Sequence, residues 1–272
     1  MTPEHRTLAL VVPNLSISYF ADLARTVEAV SHQHGYALLI MDAAEDNSIE
    51  QQSFTALSQR NISGAIWIPV RNVDIPAQPY PIVTVDRPIA NYDAIFADHR
   101  QGGKLVAQHA LRLEHRRVGL LSGPQDSPSA LMRRKGFYDV ARQQLEVVWE
   151  EIVPFSKDLP ELAKMRLLER SVSLVACAND DVALGVIRFW QRQGWRVPHD
   201  LSVIGFDDMP LGDFNGPSLS TVRQPLSTLA KRAVEVLRMR IANPTMPQHR
   251  EVLPVLFIAR ESTLGKQSQP TA

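Results

Sequence analysis

Short runs of apolar residues alternate with longer segments of helical periodicity along nearly the whole chain. The first run, 7–13 (TLALVVP), has the length of a buried strand, and 19–34 then repeats apolar residues at helical spacing before Gly35. By the same criteria the sequence predicts further strands at 37–41, 64–69, 82–85, 94–97, 117–121, 151–153, 173–178, 201–206 and 251–258. It predicts further helices at 49–60, 102–113, 129–144, 159–170, 182–193 and 224–241.

This alternation predicts an α/β fold in which parallel sheets are covered by helices on both faces. The strands are too many for one small doubly wound sheet, so we expect two sheets. In open α/β sheets, ligands bind beyond the carboxyl ends of the strands. The segments in those places are all polar: 13–19, 86–87, 98–101, 123–133, 179–181 and 207–208.

Composition excludes several classes of function. The 272 residues contain 29 Lys plus Arg and 29 Asp plus Glu, so the formal net charge is zero, which argues against strong DNA binding by the chain itself. Cys177 is the only cysteine, and no Cys/His spacing indicates zinc. The sequence shows no secretory signal and no apolar stretch of membrane length, so a cytoplasmic location is predicted. The segment 98–103 (DHRQGG) lacks a nucleotide fingerprint, and neither a cofactor nor a metal is predicted.

Three of the polar segments offer ligand contacts with competing structural roles. Asp86 can accept hydrogen bonds from sugar hydroxyls, or it can cap the loop that Pro88 stiffens. Arg133, near the start of a helix, suits bidentate contact with hydroxyls or a carboxylate. One residue of the pair Asn179 and Asp180 should cap the following helix. We assign Asn179 to the ligand and Asp180 to structure.

Asp207 and Asp208 follow a predicted strand, and adjacent carboxylates suggest general acid/base or metal chemistry. No third carboxylate or histidine lies nearby in sequence, so one contact from Asp207 to a polyol ligand is the preferred interpretation. Phe214, together with Tyr19 or Phe20, is a candidate to stack on a sugar ring, although core packing explains Phe20 equally well. The chain has no G-x-S-x-G or H-E-x-x-H motif, so we do not expect an enzyme.

Taken in order, several segments resemble the LacI/GalR (lactose-repressor/galactose-repressor) family of bacterial transcription regulators. The likeness extends over residues 6–264, and the block 179–225 is the most specific part. Its landmarks include VDRPI, DHRQGG, RRKGF, ACANDDVALG, VIGFDD, TVRQP and VLPVLFIAREST.

The resemblance implies a type I periplasmic-binding-protein-like fold of two lobes, with three chain crossings between them. Residues 7–98 and 225–248 would form one lobe, and residues 100–222 and 250–264 the other. A small-molecule effector, commonly a sugar, nucleoside or purine, would bind in the crevice between the lobes. The family forms dimers and binds operator DNA through an N-terminal helix-turn-helix headpiece. The family's ligand positions would fall on Tyr19, Phe20, Asp86, Arg133, Asn179, Asp207 and Gln224.

The sequence departs from the family at three places, one of which is the stretch 146–160, poorer in glycine than the family's usual connection. No headpiece precedes the first strand, which is expected either of an excised effector domain or of a naturally headless protein. His99 stands where the family usually has asparagine. The alternative function is a solute-binding protein of a sugar transporter, which shares this fold. The missing secretory signal and the segment 223–225 favour the regulator.

A homodimer is expected mainly from the resemblance. The sequence adds an apparent excess of apolar side chains in 43–60 and 64–73, some of which would face a partner subunit: Ile49, Phe54, Leu57, Trp67 and Ile68.

Overall fold

The computed structural model describes residues 6–71, 75–142, 144–210 and 216–263. The chain divides into two compact units. The first contains residues up to Ala97, Asp126–Pro128 and Pro225–Pro254, and the second contains Asp98–Gln125, Ser129–Gln224 and residues from Val255 onward. The main chain therefore passes between the units at 97–98, 224–225 and 254–255, and twice more around the short segment 126–128, at 125–126 and 128–129.

Strands and helices alternate as the sequence predicts. The strands are β1 Thr7–Val12, β2 Ala37–Asp42, β3 Gly64–Trp67, β4 Ile82–Val85, β5 Asp93–Ala97, β6 Arg117–Ser122, β7 Glu146–Ile152, β8 Leu174–Cys177, β9 Ser202–Ile204, β10 Thr221–Arg223, β11 Arg250–Leu253 and β12 Leu256–Ile258. The helices are α1 Ser18–Gln33, α2 Asn47–Ser58, α3 His99–Arg112, α4 Pro128–Ala141, α5 Glu161–Leu168, α6 Asp180–Arg192 and α7 Leu226–Ala242. Among the described residues, no helix combines the length and apolarity needed to cross a membrane.

The first unit is built on a six-stranded parallel sheet of order β11-β5-β4-β3-β1-β2. The residues of β1 beyond Thr7 are completely buried, as expected of a strand covered on both faces. Helix α2 begins at an N-cap, Asp46, whose carboxylate accepts hydrogen bonds from the amides of Ser48 and Ile49. Helices α1 and α7 pack against each other.

The second unit contains a four-stranded parallel sheet of order β7-β6-β8-β9. Two isolated bridges, Ile204 to Ser220 and Asp207 to Arg223, extend it toward the antiparallel pair β10-β12. An apolar cluster of the second unit contains Trp149 and Trp190 and buries one side of β8 against α6 and α5. The fold is that of type I periplasmic-binding proteins, with two parallel sheets flanked by helices.

The structure corrects two predicted strands and adds one that was not predicted. The segment 251–258 is two strands that are separated by Pro254, which lacks an amide hydrogen for the ladder. Because β11 pairs with β5, residues 250–253 belong to the first unit and not to the lobe predicted for 250–264. Strand β7 begins at Glu146 instead of 151, since its three glutamates obscure the apolar pattern of this edge strand. Strand β10 was not predicted.

The predicted apolar patch for a partner subunit is wrong in most of its members. Side chains from α2 and β3 pack together in the core of the first unit, and four of the five are at most 1% exposed: Phe54, Leu57, Trp67 and Ile68. Only Ile49, with 38% of its surface exposed, is accessible. Any dimer surface must therefore use other side chains as well.

Two glycines allow α3 and α4 to pack with their backbones in contact. A Cβ atom on Gly103 would lie 2.0 Å from the carbonyl oxygen of Arg133, and one on Gly136 would lie 1.8 Å from that of Arg100. The glycines of the DHRQGG segment thus lie inside α3, whose N-cap is Asp98. They permit close packing within one unit, and this contact positions Arg133.

We predict that Gly103→Ala destabilises the chain by about 3 kcal/mol or more, because the added methyl group meets backbone that cannot rotate away. Helix propensity alone predicts the opposite sign, a gain of about 0.5–1 kcal/mol. Urea unfolding of the variant measures the difference. Gln191→Ala, at an exposed position of α6, is the control and should leave the transition unchanged. A stabilised Gly103→Ala protein would contradict the packing.

Candidate functional site

The two polar residues that follow β8 have structural roles different from the predicted division. Asn179 is the N-cap of α6, because its Oδ1 accepts a hydrogen bond from the Val182 amide at 2.9 Å. The sequence assigned Asp180 to a structural role and Asn179 to the ligand. That prediction is wrong for the Oδ1 atom of Asn179, which caps the helix. Its Nδ2 donates to no described residue, and this atom is the part of Asn179 that remains for a ligand.

Asp180 lies beneath the loop that follows β9. Its carboxylate accepts hydrogen bonds from the Thr221 hydroxyl at 2.7 Å and from the Met209 amide at 2.8 Å, and only 2% of the residue is exposed. Burial raises the pKa of Asp180, and the neighbouring carboxylate of Asp207 raises it further. Asp180 therefore supports the loop that presents Asp207.

Three of the predicted ligand residues form one buried network in the second unit. The Oδ1 atom of Asp207 accepts a hydrogen bond from Gln224 Nε2 at 2.7 Å and lies 3.1 Å from Arg133 Nη2. Arg133 also donates from Nη1 to the carbonyl oxygen of Ala178 at 2.7 Å. Its guanidinium carbon lies 3.8 Å from the ring centroid of Phe206, a cation–π contact. A carboxylate, a guanidinium and an amide are thus held together at the carboxyl ends of the strands.

His99 joins this network from the start of α3. Its side chain is completely buried, and Arg133 Nε donates to its Nδ1 at 3.3 Å. Because the guanidinium has only donors, Nδ1 must act as the acceptor in this bond, which places the proton of a neutral ring on Nε2. The histidine that replaces the family's usual asparagine therefore contacts a predicted ligand residue directly.

The neighbouring carboxylates of Asp207 and Asp208 serve different partners. Asp208 accepts a hydrogen bond from Arg223 Nε at 2.5 Å and pairs with Arg260 Nη2 at 2.6 Å. Arginine pairing on both of its oxygens is a structural role, and it separates Asp208 from the Asp207 network. Within the described part of the chain, no group of three or more His, Cys, Asp or Glu side chains is arranged to hold a metal ion.

The first unit has its own polar cluster at the carboxyl end of β4. Asp86 is 2% exposed and adopts the left-handed conformation, with φ of 64°. Its Oδ2 lies 3.7 Å from Arg87 Nε, and Arg87 Nη1 donates to the carbonyl of Pro69 at 2.8 Å. The Arg87 guanidinium lies 5.4 Å from the ring of Phe20, which Tyr19 contacts edge to face. Tyr19 and Phe20 are both 3% exposed, so core packing accounts for most of their surface.

Sequence reasoning missed Glu50, a completely buried carboxylate on α2. Its Oε1 accepts hydrogen bonds from Trp67 Nε1 and from the Val70 amide, both at 2.8 Å. Its Oε2 has no hydrogen-bond partner among the described residues, and burial raises the pKa of Glu50. Glu50 and Arg87 together fasten the segment after β3. The available signal was the helical spacing of Glu50 with Phe54 and Leu57, which places a charged residue on an apolar face.

The structure thus assembles the predicted residues into two sets, one in each unit. The second unit brings together Arg133, Asp207 and Gln224, and the first brings together Asp86, Tyr19 and Phe20. Phe214 lies outside the described residues. Buried, prealigned hydrogen-bonding groups such as the Asp207 network suit recognition of several hydroxyl groups on a small molecule.

Sequence comparison places the chain among known regulators. The profile of the periplasmic binding protein-like domain matches residues 107–263, more than half of the chain. The chain is 30% identical to the HTH-type transcriptional regulator MalR of Streptomyces coelicolor, over 97% of this chain and 83% of that protein. It is 28% identical to the ribose operon repressor of Halalkalibacterium halodurans, over 98% of this chain and 83% of the relative.

Structural comparison gives the same result. A LacI family transcriptional regulator from Enterococcus faecium with bound ribose has a TM-score of 0.83 at 25% identity, covering 94% of this chain and 98% of that one. The transcription regulator CcpA of Lactococcus lactis, at 18% identity, shares the fold with a TM-score of 0.86 over 95% of this chain and 99% of its own. The chain therefore belongs to the LacI/GalR family of bacterial transcription regulators.

Proposed function

We propose that this chain binds a sugar, or a similar small polyhydroxy molecule, as the effector of a transcription regulator. The observation that carries the proposal is the buried network of Asp207, Arg133 and Gln224. Such groups discriminate strongly against ligands that leave them unpaired. The relatives' names support a sugar, since they include ribose operon repressors and a structure with bound ribose.

The proposed ligand contacts in the second unit are Asp207, Arg133, Gln224 and the Nδ2 atom of Asn179. In the first unit, the proposed contacts are Asp86 and the aromatic residues Tyr19 and Phe20. Phe214 is a further proposed ligand contact, for which the sequence is the only support. Asp180 and Asp208 act as supports and not as ligand contacts, because both oxygens of each carboxylate bond to protein groups. Glu50 is also a support, because its Oε1 holds Trp67 and the segment after β3.

The relatives named as repressors favour a regulator over the solute-binding protein of a transporter. We propose that the chain senses and does not catalyse. It would act in the cytoplasm, where a regulator meets its operator. Effector binding would change operator affinity by favouring one of two conformations of the sensory domain.

Asp207→Asn should weaken effector binding at least tenfold. The substitution keeps the shape of the side chain but removes the charge-assisted hydrogen bonds, each of which contributes about 1.5–3 kcal/mol. A panel of pentoses, hexoses and disaccharides is first tested for thermal stabilisation of the wild-type chain, and calorimetry then gives the affinities. Lys135→Ala, at an exposed position on the helix that carries Arg133, is the control and should bind normally. Wild-type affinity in Asp207→Asn would move the site elsewhere.

We also propose that operator DNA is bound through an N-terminal helix-turn-helix headpiece and not through the two units described above. The formal net charge of zero supplies no basic excess for phosphate contacts. The chain alone should therefore show no sequence-specific retention of duplex DNA in a gel-shift assay at physiological salt. The same chain fused to a helix-turn-helix headpiece of this family is the positive control. Specific retention of the unfused chain would refute the proposal that the headpiece alone binds the operator.

A homodimer is the proposed assembly, because a regulator of this family needs two headpieces at half-site spacing. Light scattering at micromolar concentration should give twice the 30.4 kDa mass of the chain. An obligate interface of this kind buries on the order of 2,000 Å² or more. A 30 kDa species with and without effector would contradict the dimer and favour the transport alternative.

A further inference from the structure

The second unit contains a cavity at the amino-terminal ends of its strands, whereas the Asp207 network lies at the carboxyl-terminal ends. It lies at the amino ends of β6, β8 and β9, and its volume is about 640 Å³. Its walls are the segments 112–117, 170–173 and 198–202, all within the second unit. We propose that this cavity, the basic cleft, binds a small phosphate-bearing molecule.

The first argument is the positive charge of the basic cleft. Four arginines line it, against two acidic residues, Glu114 and Asp200. Arg117 is paired with Glu146 at 2.8 Å. Three of the lining arginines form no ion pair with any carboxylate among the described residues: Arg112, Arg116 and Arg170.

Among the described residues, unpaired arginines also lie elsewhere on this unit, at the exposed positions Arg142, Arg188 and Arg192, but the cleft gathers three of them in one concave site, while most of the other arginines are paired. A carboxylate neutralises each of Arg100, Arg133, Arg134, Arg166, Arg223 and Arg260. Asp200 offers little compensation within the cleft, because its Oδ2 lies 3.8 Å from Arg196 Nε in an ion pair and also accepts a hydrogen bond from the Arg196 amide at 2.8 Å. Like charges in one concave site focus the field on an anionic ligand.

The second argument is that contacts to uncharged groups hold two of the three arginines in place. The Arg170 guanidinium lies 5.0 Å from the ring centroid of Trp195. Arg112 Nη2 lies 3.2 Å from His109 Nδ1. Burial and the charge of Arg112 lower the pKa of His109 to about 4, so at neutral pH the ring is neutral and accepts this bond. Each arginine thus keeps its charge and most of its donors for a ligand.

The third argument concerns the class of ligand. Guanidinium groups match the oxygens of a phosphate in paired hydrogen bonds. The cavity volume is in the usual range for small-molecule sites, which run from about 300 to 1,000 Å³. His115, whose Nδ1 bonds to the Ser173 hydroxyl at 2.7 Å, adds polar lining. Positive charge and size together favour a phosphorylated metabolite over a neutral sugar.

The test is calorimetric titration of the full chain with hexose 6-phosphate, inorganic phosphate and the unphosphorylated hexose at low salt. We expect the hexose phosphate to bind with a Kd below 1 mM. Arg116→Gln and Arg170→Gln should each weaken it about tenfold, and raised salt should weaken it in the wild type. Arg188→Gln, which removes an exposed arginine of the same unit outside the cleft, should bind normally.

Asp207→Asn separates this site from the proposed effector site, because it should leave hexose phosphate binding intact. Loss of binding in Asp207→Asn, with normal binding in Arg116→Gln and Arg170→Gln, would place the phosphate at the effector site and overturn the proposal. Absence of heat with hexose phosphate at 5 mM, roughly fivefold above the expected limit on Kd, would overturn it as well. Circular dichroism verifies that each variant is folded, so a lost signal reports binding.

Discussion

The buried carboxylate of Asp180 is the interaction on which the second unit's polar site depends. Its two oxygens connect the start of α6 to the loop after β9 and to β10. Its backbone amide donates to the carbonyl of Phe206 at 2.8 Å. Gly205 is required beside it, since a Cβ atom there would lie 2.1 Å from Asp180 Oδ1. Without this carboxylate, two donors, the Thr221 hydroxyl and the Met209 amide, would lose their acceptor.

The conformation of the following residues depends on that support. Asp207 and Asp208 have φ values of 118° and 61°, in a region that residues with side chains seldom adopt. The hydrogen bonds of Asp180 to both flanks of the loop offset the cost of this geometry. As a result the two carboxylates diverge, so that Asp207 contacts Arg133 and Gln224 while Asp208 contacts surface arginines. The adjacency of two acids in the sequence therefore does not create an acid pair in space.

Much of this arrangement follows from the sequence, because parallel strands bring their carboxyl ends to one edge. That rule places the segments with Arg133 and Asp207 among the six candidate segments, and the structure brings the two side chains into contact although they are 74 positions apart. The rule could not decide between Asn179 and Asp180, since both residue types cap helices and both accept hydrogen bonds. The burial of Glu50 was not predicted, because a single charged residue in an amphipathic segment resembles a surface position. The start of β7 was missed for a similar reason. Its glutamates form ion pairs with Arg134 and Arg166 in the structure, but in the sequence they give the strand the polar composition of a loop.

The break at Pro254 has a consequence for the order of events during biosynthesis. Strand β11 completes the edge of the first sheet beside β5, and β12 supplies the partner of β10. Both strands lie within residues 250–258 and follow the ten other described strands in chain order. Domains generally fold as they emerge from the ribosome, starting from the amino terminus. Here neither unit can complete its hydrogen-bonded strands until the segment 250–258 has been synthesised, so the two sets of strands are completed within a few residues of each other.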